Sequence, residues 1–249
     1  MRNTTLVLIC LILLSLLPAC QEKSPLPEAT ATIEIVRLQI TPSLTHWLTD
    51  VAACAEPIPN FGLVSAILPV SDLDLKKADL IMRLGERSEQ DPFVAVLGSE
   101  ALVIITGDDV PVTSISLESL QAIFNSGVDN WQTIPEMAAG GTEFNQSLTT
   151  LSYPEGHQLR QLFTDSYLQS DPITSDPLIF VTLEYLEALL QDYPAAVGYA
   201  LKDQIPEGIK ILPISGIETE AAQHPVLAVT AKQPQGALRL FLLCLQNAR

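Results

Sequence analysis

The chain has 249 residues, enough for one large domain or for two lobes of about 100 residues each. Its 29 acidic and 13 basic side chains give a formal net charge of −16, so its surface repels nucleic acid and anionic lipid, and no nucleic-acid partner is expected. The negative charge does not exclude an anionic small-molecule ligand, because backbone N–H groups and hydroxyls can hold an anion in a buried site.

Residues 1–32 predict export and attachment to a membrane. An apolar run at residues 6–17 follows a basic residue and is too short for a comfortable span, which is typical of a secretory signal. The Leu-Pro-Ala-Cys sequence that ends it resembles the bacterial lipobox. The resemblance implies that residues 1–19 are removed and that Cys20 is lipidated, whereas the alternative is a plain signal peptide or an uncleaved anchor. Residues 20–32 are polar, contain two prolines and predict a flexible tether.

Cysteine and histidine are sparse. Cys10 leaves with the signal, so Cys54 and Cys244 remain besides Cys20, and in an oxidising compartment they either form a disulfide or stay two buried thiols. Three scattered histidines and the lack of metal-ligand spacing mean that no metal is expected. The chain lacks the Gly-x-Ser-x-Gly, phosphate-loop and His-Glu-x-x-His motifs, so neither an enzyme nor a cofactor is expected.

The first part of the exported chain alternates between strand and helix patterns. Residues 33–40 alternate in polarity and predict the first strand. Thr41 and Pro42 then fit the cap and the first position of a helix. Further apolar runs predict strands at 61–68, 78–82 and 92–105, the last with a break at Gly98. This alternation favours an α/β fold.

The stretch from 92 to 131 organises the rest of the chain. An apolar strand is followed by a Gly-Asp-Asp-Val-Pro turn, a short amphipathic helix with Ser116 as its N-cap, and a tryptophan loop. The stretch resembles the phosphate-type solute-binding proteins of ABC importers, in which such a strand leaves the first lobe and enters the second. The residues that carry this resemblance are Leu117, Leu120, Ile123, Phe124, Gly127 and Trp131.

Beyond residue 131 the patterns predict strands at 147–153 and 178–181, each followed by a helix. Pro194–Tyr199 resembles the family's return strand, and the strand at 226–230 with the helix after it resembles its closing elements. The resemblance implies a two-lobed, type 2 periplasmic-binding-protein-like α/β fold, with two mixed sheets flanked by helices and joined by a two-strand hinge near Ile105 and Gly198. The implied lobes are residues 33–105 plus 199–249 for lobe I, and 106–198 for lobe II.

The family's ligand-binding turn is only partly kept here. Its frame matches at Pro154, Glu155, Gly156, Arg160 and Phe163. The anion-contacting arginine of the family is replaced by Tyr153, and its Ser-Gly-Thr cradle by His157, Gln158 and Leu159. A leucine donates no hydrogen bond, and glutamine adds bulk where glycine lets the backbone approach a ligand. An unmodified phosphate site is therefore not expected.

Each candidate ligand residue also has a structural alternative. Thr41 and Ser43 fit either a ligand hydroxyl site or simple helix caps, and His157 is either a ligand contact or a solvent-facing residue. Arg83 would replace the charge lost at Tyr153, since a guanidinium matches oxyanions, or it is an exposed charge near Glu86 and Glu89. Arg160 is either a ligand contact or half of a surface ion pair with Glu155 or Asp165. The candidates are Thr41, Ser43, Ser71, Arg83, Tyr153, Gly156, His157 and Arg160.

Together these features predict a monomeric, exported lipoprotein held on the outer face of the bacterial cell membrane. It would bind a small molecule or anion between its lobes and deliver it to the permease of an ABC transporter of the phosphate or oxyanion type. The alternative is a non-transport sensory or binding lipoprotein that keeps the fold and has a degenerate ligand site.

Overall fold

Strands and helices alternate along the part of the chain that the computed structural model describes, namely residues 32–125, 127–140, 144–216 and 223–248. The predicted signal peptide, Cys20 and the tether up to residue 31 lie outside these residues. Ile33–Arg249 form one compact unit. In the described residues no helix is both long and apolar enough to cross a membrane, and no cluster of acidic, histidine or cysteine side chains has the makings of a metal site.

The strands of the described residues are β1 (Glu34–Ile40), β2 (Phe61–Ile67), β3 (Leu80–Leu84), β4 (Phe93–Thr106), β5 (Ile115–Ser116), β6 (Thr149–Ser152), β7 (Leu178–Ile179), β8 (Ala196–Leu201), β9 (Lys210–Leu212), β10 (Ile214–Ser215) and β11 (Gln223–Thr230). The helices are α1 (Leu48–Ala55), α2 (Leu117–Asn125), α3 (Pro135–Gly140), α4 (Gln158–Tyr167), α5 (Leu183–Asp192) and α6 (Gly236–Asn247). Short 3-10 helices span Pro42–Trp47, Val70–Asp72, Trp131–Thr133 and Lys202–Gln204.

The long strand β4 joins two halves of a mixed sheet, whose order is β2-β1-β3-β11-β4-β8-β6-β7 with β9 also on β4. Residues 93–101 of β4 pair with β11, and these residues with β1–β3 and β11 form the first sheet half. Residues 102–106 pair with β8 and β9, and with β6–β9 they form the second sheet half. The α/β class and the shared hinge strand agree with the sequence analysis.

The return path differs in one detail from the implied lobe boundaries. Strands β8 and β9 pair with the end of β4, and β10 pairs with β5, which precedes α2. Residues up to 215 are therefore placed beside the second sheet half by strand pairing, although lobe I was expected to resume at 199. The lobe boundaries themselves remain a prediction.

A β-bulge replaces the break expected at Gly98. Strand β4 continues through this position, and its register against β11 shifts between Val226 and Leu227, which face Gly98 and Val96. A Cβ atom on Gly98 would lie 3.3 Å from the ring of Trp47. Glycine is therefore favoured here because a buried tryptophan packs on the backbone of the strand.

The segment after β1 begins as a 3-10 helix and becomes α1 at Leu48, instead of being helical in the α form throughout. Thr41 stands at the N-cap position, but its side chain does not cap the helix. The prediction of a side-chain cap was wrong because the hydroxyl of Thr41 lies 3.0 Å from the hydroxyl of Ser43 and pairs with it.

Helix α2 and the tryptophan loop form as predicted. The Oγ atom of Ser116 accepts a hydrogen bond from the backbone N–H of Ser119 at 3.2 Å, which is an N-cap contact. Three residues of the family-like stretch, Leu120, Ile123 and Phe124, form the fully buried face of α2. Trp131 is also fully buried, and its Nε1–H donates to the carbonyl of Ala195 at 2.6 Å.

Helices α1 and α6 pack together and are joined by a disulfide between Cys54 and Cys244, with a Cα–Cα distance of 5.7 Å. Of the two alternatives that the sequence left open, the structure has the bridge. Beside it, the rings of Phe61 and Phe241 lie 5.4 Å apart. The bond therefore ties α6 to α1 over a sequence separation of 190 residues.

Candidate functional site

A pocket of about 260 Å³ lies where three helices begin: the 3-10 helix after β1, α4 and α5. The segments on its two sides come from different sheet halves, because the 3-10 helix follows β1 whereas α4 follows β6 and α5 follows β7. The lining residues are Pro42, Ser43, Thr45, Tyr153, His157, Leu159, Val181, Thr182, Leu183, Glu184 and Gln204.

The turn from β6 into α4 sets the position of His157. The backbone N–H of His157 donates to the carbonyl of Pro154 at 3.1 Å, and Gly156 has a φ of +78°. A turn of this kind needs a residue that adopts positive φ, which glycine does without a steric penalty. Gly156 is exposed, and its backbone conformation accounts for its presence in the turn.

His157 is the N-cap of α4, because its Nδ1 atom accepts from the backbone N–H of Leu159 at 3.3 Å. An accepting Nδ1 leaves the proton of the neutral ring on Nε2. The ring stacks on Tyr153 with centroids 4.3 Å apart and an angle of 6° between the planes. His157 is thus half-buried, not solvent-facing, and burial lowers its pKa to about 4.

We expect His157 to make the protein less stable in mild acid. The unfolded chain takes up a proton near pH 6.5, whereas the folded protein does so only near pH 4. Between these values the unfolded state binds more protons, so the free energy of unfolding rises with pH and falls by about 1–2 kcal/mol as the pH drops from 6.5 to 4.5. Urea unfolding at pH 4.5, 5.5, 6.5 and 7.5 measures this loss.

The matched variant is His157→Asn, which keeps a good N-cap acceptor but does not titrate. Its free energy of unfolding should depend less on pH than that of the parent between pH 4.5 and 6.5. Burial also lowers the pKa of His224, so some slope should remain in the variant. Equal slopes in the parent and the variant would show that His157 does not contribute to acid sensitivity.

Behind the pocket, the side chain of Gln158 bridges the two sheet halves. Its Oε1 atom accepts from the hydroxyl of Ser43 at 2.7 Å and lies 3.4 Å from the backbone N–H of Leu84. Its Nε2 atom donates to the carbonyl of Leu84 at 2.9 Å. Gln158 is in α4, whereas Ser43 and Leu84 follow β1 and end β3, so three hydrogen bonds of one carboxamide cross the cleft.

Two hydroxyls extend this network on the side of the first sheet half. Because Oε1 of Gln158 can only accept, the hydroxyl of Ser43 donates to it, and Thr41 must donate to Ser43 in turn. Thr41, Ser43 and Gln158 are 0%, 4% and 7% exposed. A buried chain of this kind is strengthened by mutual polarisation and leaves neither hydroxyl without a partner.

The remaining candidates serve other contacts. Ser71 lies in an exposed 3-10 helix and donates to Asp72 at 3.0 Å. Arg83 is not an exposed charge near Glu86 and Glu89: its side chain is 14% exposed, forms an ion pair with Asp91 and donates to the backbone carbonyl of Glu86. Neither Ser71 nor Arg83 lines the pocket.

Arg160 also differs from its predicted alternative. Its guanidinium donates to the backbone carbonyl of Tyr153 at 3.1 Å, and among the described residues it forms no salt bridge with Glu155 or Asp165. The carbonyl at the end of β6 holds the side chain across the first turn of α4. The pocket therefore brings together Ser43, Tyr153 and His157 of the candidates, with Thr41 directly behind Ser43.

The electrostatics of the pocket are neutral to negative. Neither lysine nor arginine occurs among its lining residues, and Glu184 is their one charged side chain besides the mostly neutral His157. Hydrogen bonds from its own backbone N–H and from the side chain of Thr182 lower the pKa of Glu184, so it is ionised at neutral pH. A carboxylate in the lining opposes a second negative charge.

Sequence reasoning missed two polar groups at the cleft. Gln158 was seen only as bulk at a glycine position, and Gln204, which donates to the carbonyl of Ser43 at 3.3 Å, was not considered. Gln204 also contacts Nδ1 of His46, whose Nε2 lies 2.9 Å from the buried carboxylate of Glu100. Neither glutamine carries a sequence signal for such a bridge, because Ser43 lies 115 residues from Gln158 and 161 residues from Gln204.

A second hollow, of about 500 Å³, lies beside the start of β1 and the segment 230–235. It contains Arg37, but that guanidinium forms two hydrogen bonds with the carboxylate of Asp79, both at 3.0 Å. This hollow lies beside elements of the first sheet half and shares no lining residue with the pocket at the three helix starts, so the smaller pocket is the better candidate for a site that closes between the halves.

No protein-family model and no curated protein sequence matches the chain. Solved structures do resemble it. An ABC-type phosphate transport receptor from Vibrio cholerae superposes with a TM-score of 0.65 at 17% identity, covering 84% of this chain and 93% of the receptor. A putative phosphate ABC transporter substrate-binding protein from Clostridium perfringens, solved with bound phosphate, gives 0.66 at 16%, covering 85% and 92%.

A regulatory protein shows a similar likeness. The OxyR2 regulatory domain from Vibrio vulnificus superposes with a TM-score of 0.61 at 11% identity, covering 89% of this chain and 99% of the domain. At such identities the likeness concerns the fold and leaves the ligand undecided. The chain has the two-lobed α/β fold of type 2 periplasmic-binding proteins, which transport receptors and a regulatory domain both use.

Proposed function

We propose that this chain is an exported, lipid-anchored solute-binding protein that takes a small solute into the pocket between the two sheet halves. The observation that supports this most directly is the position of the pocket, at the starts of three helices drawn from both halves. Ligands commonly bind where lobes meet, and closure around a solute is the usual motion of such folds. Delivery to the permease of an ABC importer is the proposed role.

We further propose that the solute is polar and neutral, or carries a positive group, and is not an oxyanion. The pocket offers the hydroxyls of Thr45 and Thr182, the imidazole of His157 and the carboxylate of Glu184, but no cationic side chain. A phosphate held here would meet Glu184 without a compensating guanidinium or ammonium group. Of the expected phosphate or oxyanion transport role, we therefore retain the solute receptor and replace the oxyanion as its ligand.

The second candidate is a sensory or binding lipoprotein that does not serve transport. It is favoured by the buried carboxamide of Gln158, which already joins the two halves without an added solute. The likeness to a regulatory domain supports the same candidate. The two candidates differ in solute binding: a transport receptor must bind and release a solute reversibly, whereas the alternative keeps the fold with a degenerate ligand site.

The experiment uses the protein from Pro25 to Arg249, which contains the compact unit. Its melting temperature is measured with phosphate, sulfate, molybdate, amino acids, polyamines and sugars. A solute at 100 times its dissociation constant should stabilise the fold by about 2.7 kcal/mol, which raises the melting temperature by about 5–10 °C. We expect a shift with a neutral or amine-bearing solute and none with the three oxyanions.

Glu184→Gln and Glu187→Gln form a matched pair on α5, since both residues are exposed but only Glu184 lines the pocket. The first variant should weaken binding of an amine-bearing solute, and the second should not. A shift with phosphate would overturn the proposed solute class. The absence of a shift with every compound would contradict the transport role and support the sensory alternative.

A further inference from the structure

The carboxamide of Gln158 occupies a position that has the geometry of a ligand site. Two donors, the hydroxyl of Ser43 and the backbone N–H of Leu84, converge on its oxygen, and the carbonyl of Leu84 accepts from its nitrogen. All of these groups are buried. The position therefore recognises a group that presents one acceptor and one donor side by side, which is the pattern of a primary amide.

An oxyanion matches this position poorly. The carbonyl oxygen of Leu84 faces the nitrogen of the carboxamide at 2.9 Å, and a fully ionised oxygen in that place would meet another acceptor. Removing the carboxamide would leave the buried N–H of Leu84 without this partner, whereas the carbonyl of Leu84 would keep its hydrogen bond from Nη1 of Arg83 at 3.3 Å. An unpaired buried backbone group destabilises the fold, so a hydrogen-bonding group is favoured at this position.

We propose that Gln158 is a built-in ligand: its carboxamide fills the anchoring position of the cleft, keeps the two sheet halves closed on each other and excludes oxyanions from that position. This inference rests on the proposed solute class and deepens it, for either of the two candidate roles, because it gives the reason for the solute specificity of the same cleft. The bridge does not depend on the identity of the solute, since its partners all belong to the chain itself.

The test compares Gln158→Ala with Gln161→Ala in the protein from Pro25 to Arg249. Both residues lie in the first turns of α4, but Gln161 is exposed. The first variant should melt about 3–10 °C below the parent, because buried hydrogen bonds are lost, and the second should melt within about 1–2 °C of it. Hydrogen exchange of the Leu84 amide should become faster in Gln158→Ala only.

Chemical rescue then identifies the group that the position recognises. The alanine substitution removes a CH₂–CONH₂ group, so acetamide has the size to replace it, and acetate is its charged counterpart. Acetamide should raise the melting temperature of Gln158→Ala and leave the parent and Gln161→Ala unchanged. Acetate, phosphate and sulfate should have no such effect.

Each other result overturns the proposal. Equal melting temperatures for the two alanine variants would show that the carboxamide does not hold the cleft closed. Rescue by phosphate or acetate instead of acetamide would show an anion position. A phosphate-induced rise in the melting temperature of the parent that equals a rise in Gln158→Ala would show that the side chain does not exclude oxyanions. The solute panel on the parent tests the proposed function separately, because neither melting difference nor rescue requires the natural solute.

If Gln158→Ala does not fold, Gln158→Glu serves the same purpose. It keeps the size of the side chain, but an ionised carboxylate cannot donate to the carbonyl of Leu84. We expect its stability relative to the parent to increase as the pH falls from 7 to 5, because protonation restores one donor. A pH-independent difference between Gln158→Glu and the parent would contradict the built-in ligand.

Discussion

Removing the disulfide between Cys54 and Cys244 should lower the free energy of unfolding by about 2–5 kcal/mol. The bond closes a loop over a sequence separation of 190 residues, and a crosslink over a long loop restricts the unfolded chain most. It also holds α6 against α1, beneath which Phe241 packs on Phe61. Urea unfolding of the oxidised protein, with and without reductant, measures the difference.

The double variant Cys54→Ala with Cys244→Ala is the control for this prediction. It should be as unstable as the reduced parent and should not respond to reductant. If the parent proves insensitive to a reductant that mass spectrometry shows to have opened the bond, the stabilisation lies in the packing of the two helices and not in the crosslink.

Replacing Trp131 with alanine should destabilise the protein by about 3–5 kcal/mol. The indole is fully buried, so its loss leaves a large cavity in the second sheet half. It also donates to the carbonyl of Ala195, at the entry to β8, and thus connects the loop after α2 to the strand that pairs with β4. Far-UV circular dichroism during urea unfolding measures this loss without relying on tryptophan fluorescence.

Two further variants separate the contributions at this site. Trp131→Phe keeps most of the packing but removes the donor to Ala195, and should cost about 1–3 kcal/mol. Tyr185→Ala, at an aromatic residue that is 50% exposed, should change the stability by less than about 0.5 kcal/mol. A loss of similar size in Trp131→Ala and Tyr185→Ala would mean that the tryptophan is not part of a tightly packed core.

Local sequence patterns predicted a helix well where its apolar residues recur periodically and a capping residue precedes it. The apolar spacing of Leu120, Ile123 and Phe124 identified the buried face of α2, and Ser116 caps that helix as expected. These features depend on residues three or four positions apart, which a sequence displays directly. Thr41 shows the limit of the same reasoning, because its hydroxyl pairs with Ser43 and leaves the helix uncapped.

The site was less accessible to sequence reasoning. Arg83 and Arg160 were candidates because of their charge, yet one pairs with Asp91 and the other holds the carbonyl of Tyr153. Neither contact can be read from the sequence. The loop after β3 brings Asp91 back to Arg83, and the first turn of α4 brings Arg160 back to the carbonyl of Tyr153. One of the two alternatives for His157 was a solvent-facing residue, but the ring stacks on Tyr153, and burial lowers its pKa to about 4.

By itself, the sequence determined the α/β class and the buried face of α2. These conclusions need only neighbouring residues and the chemistry of their side chains. The tertiary structure alone decided that Cys54 is bonded to Cys244 and that Gln158 bridges the two sheet halves through Ser43 and Leu84. Such contacts join residues far apart in the chain, and their geometry exists only once the two sheet halves have packed together.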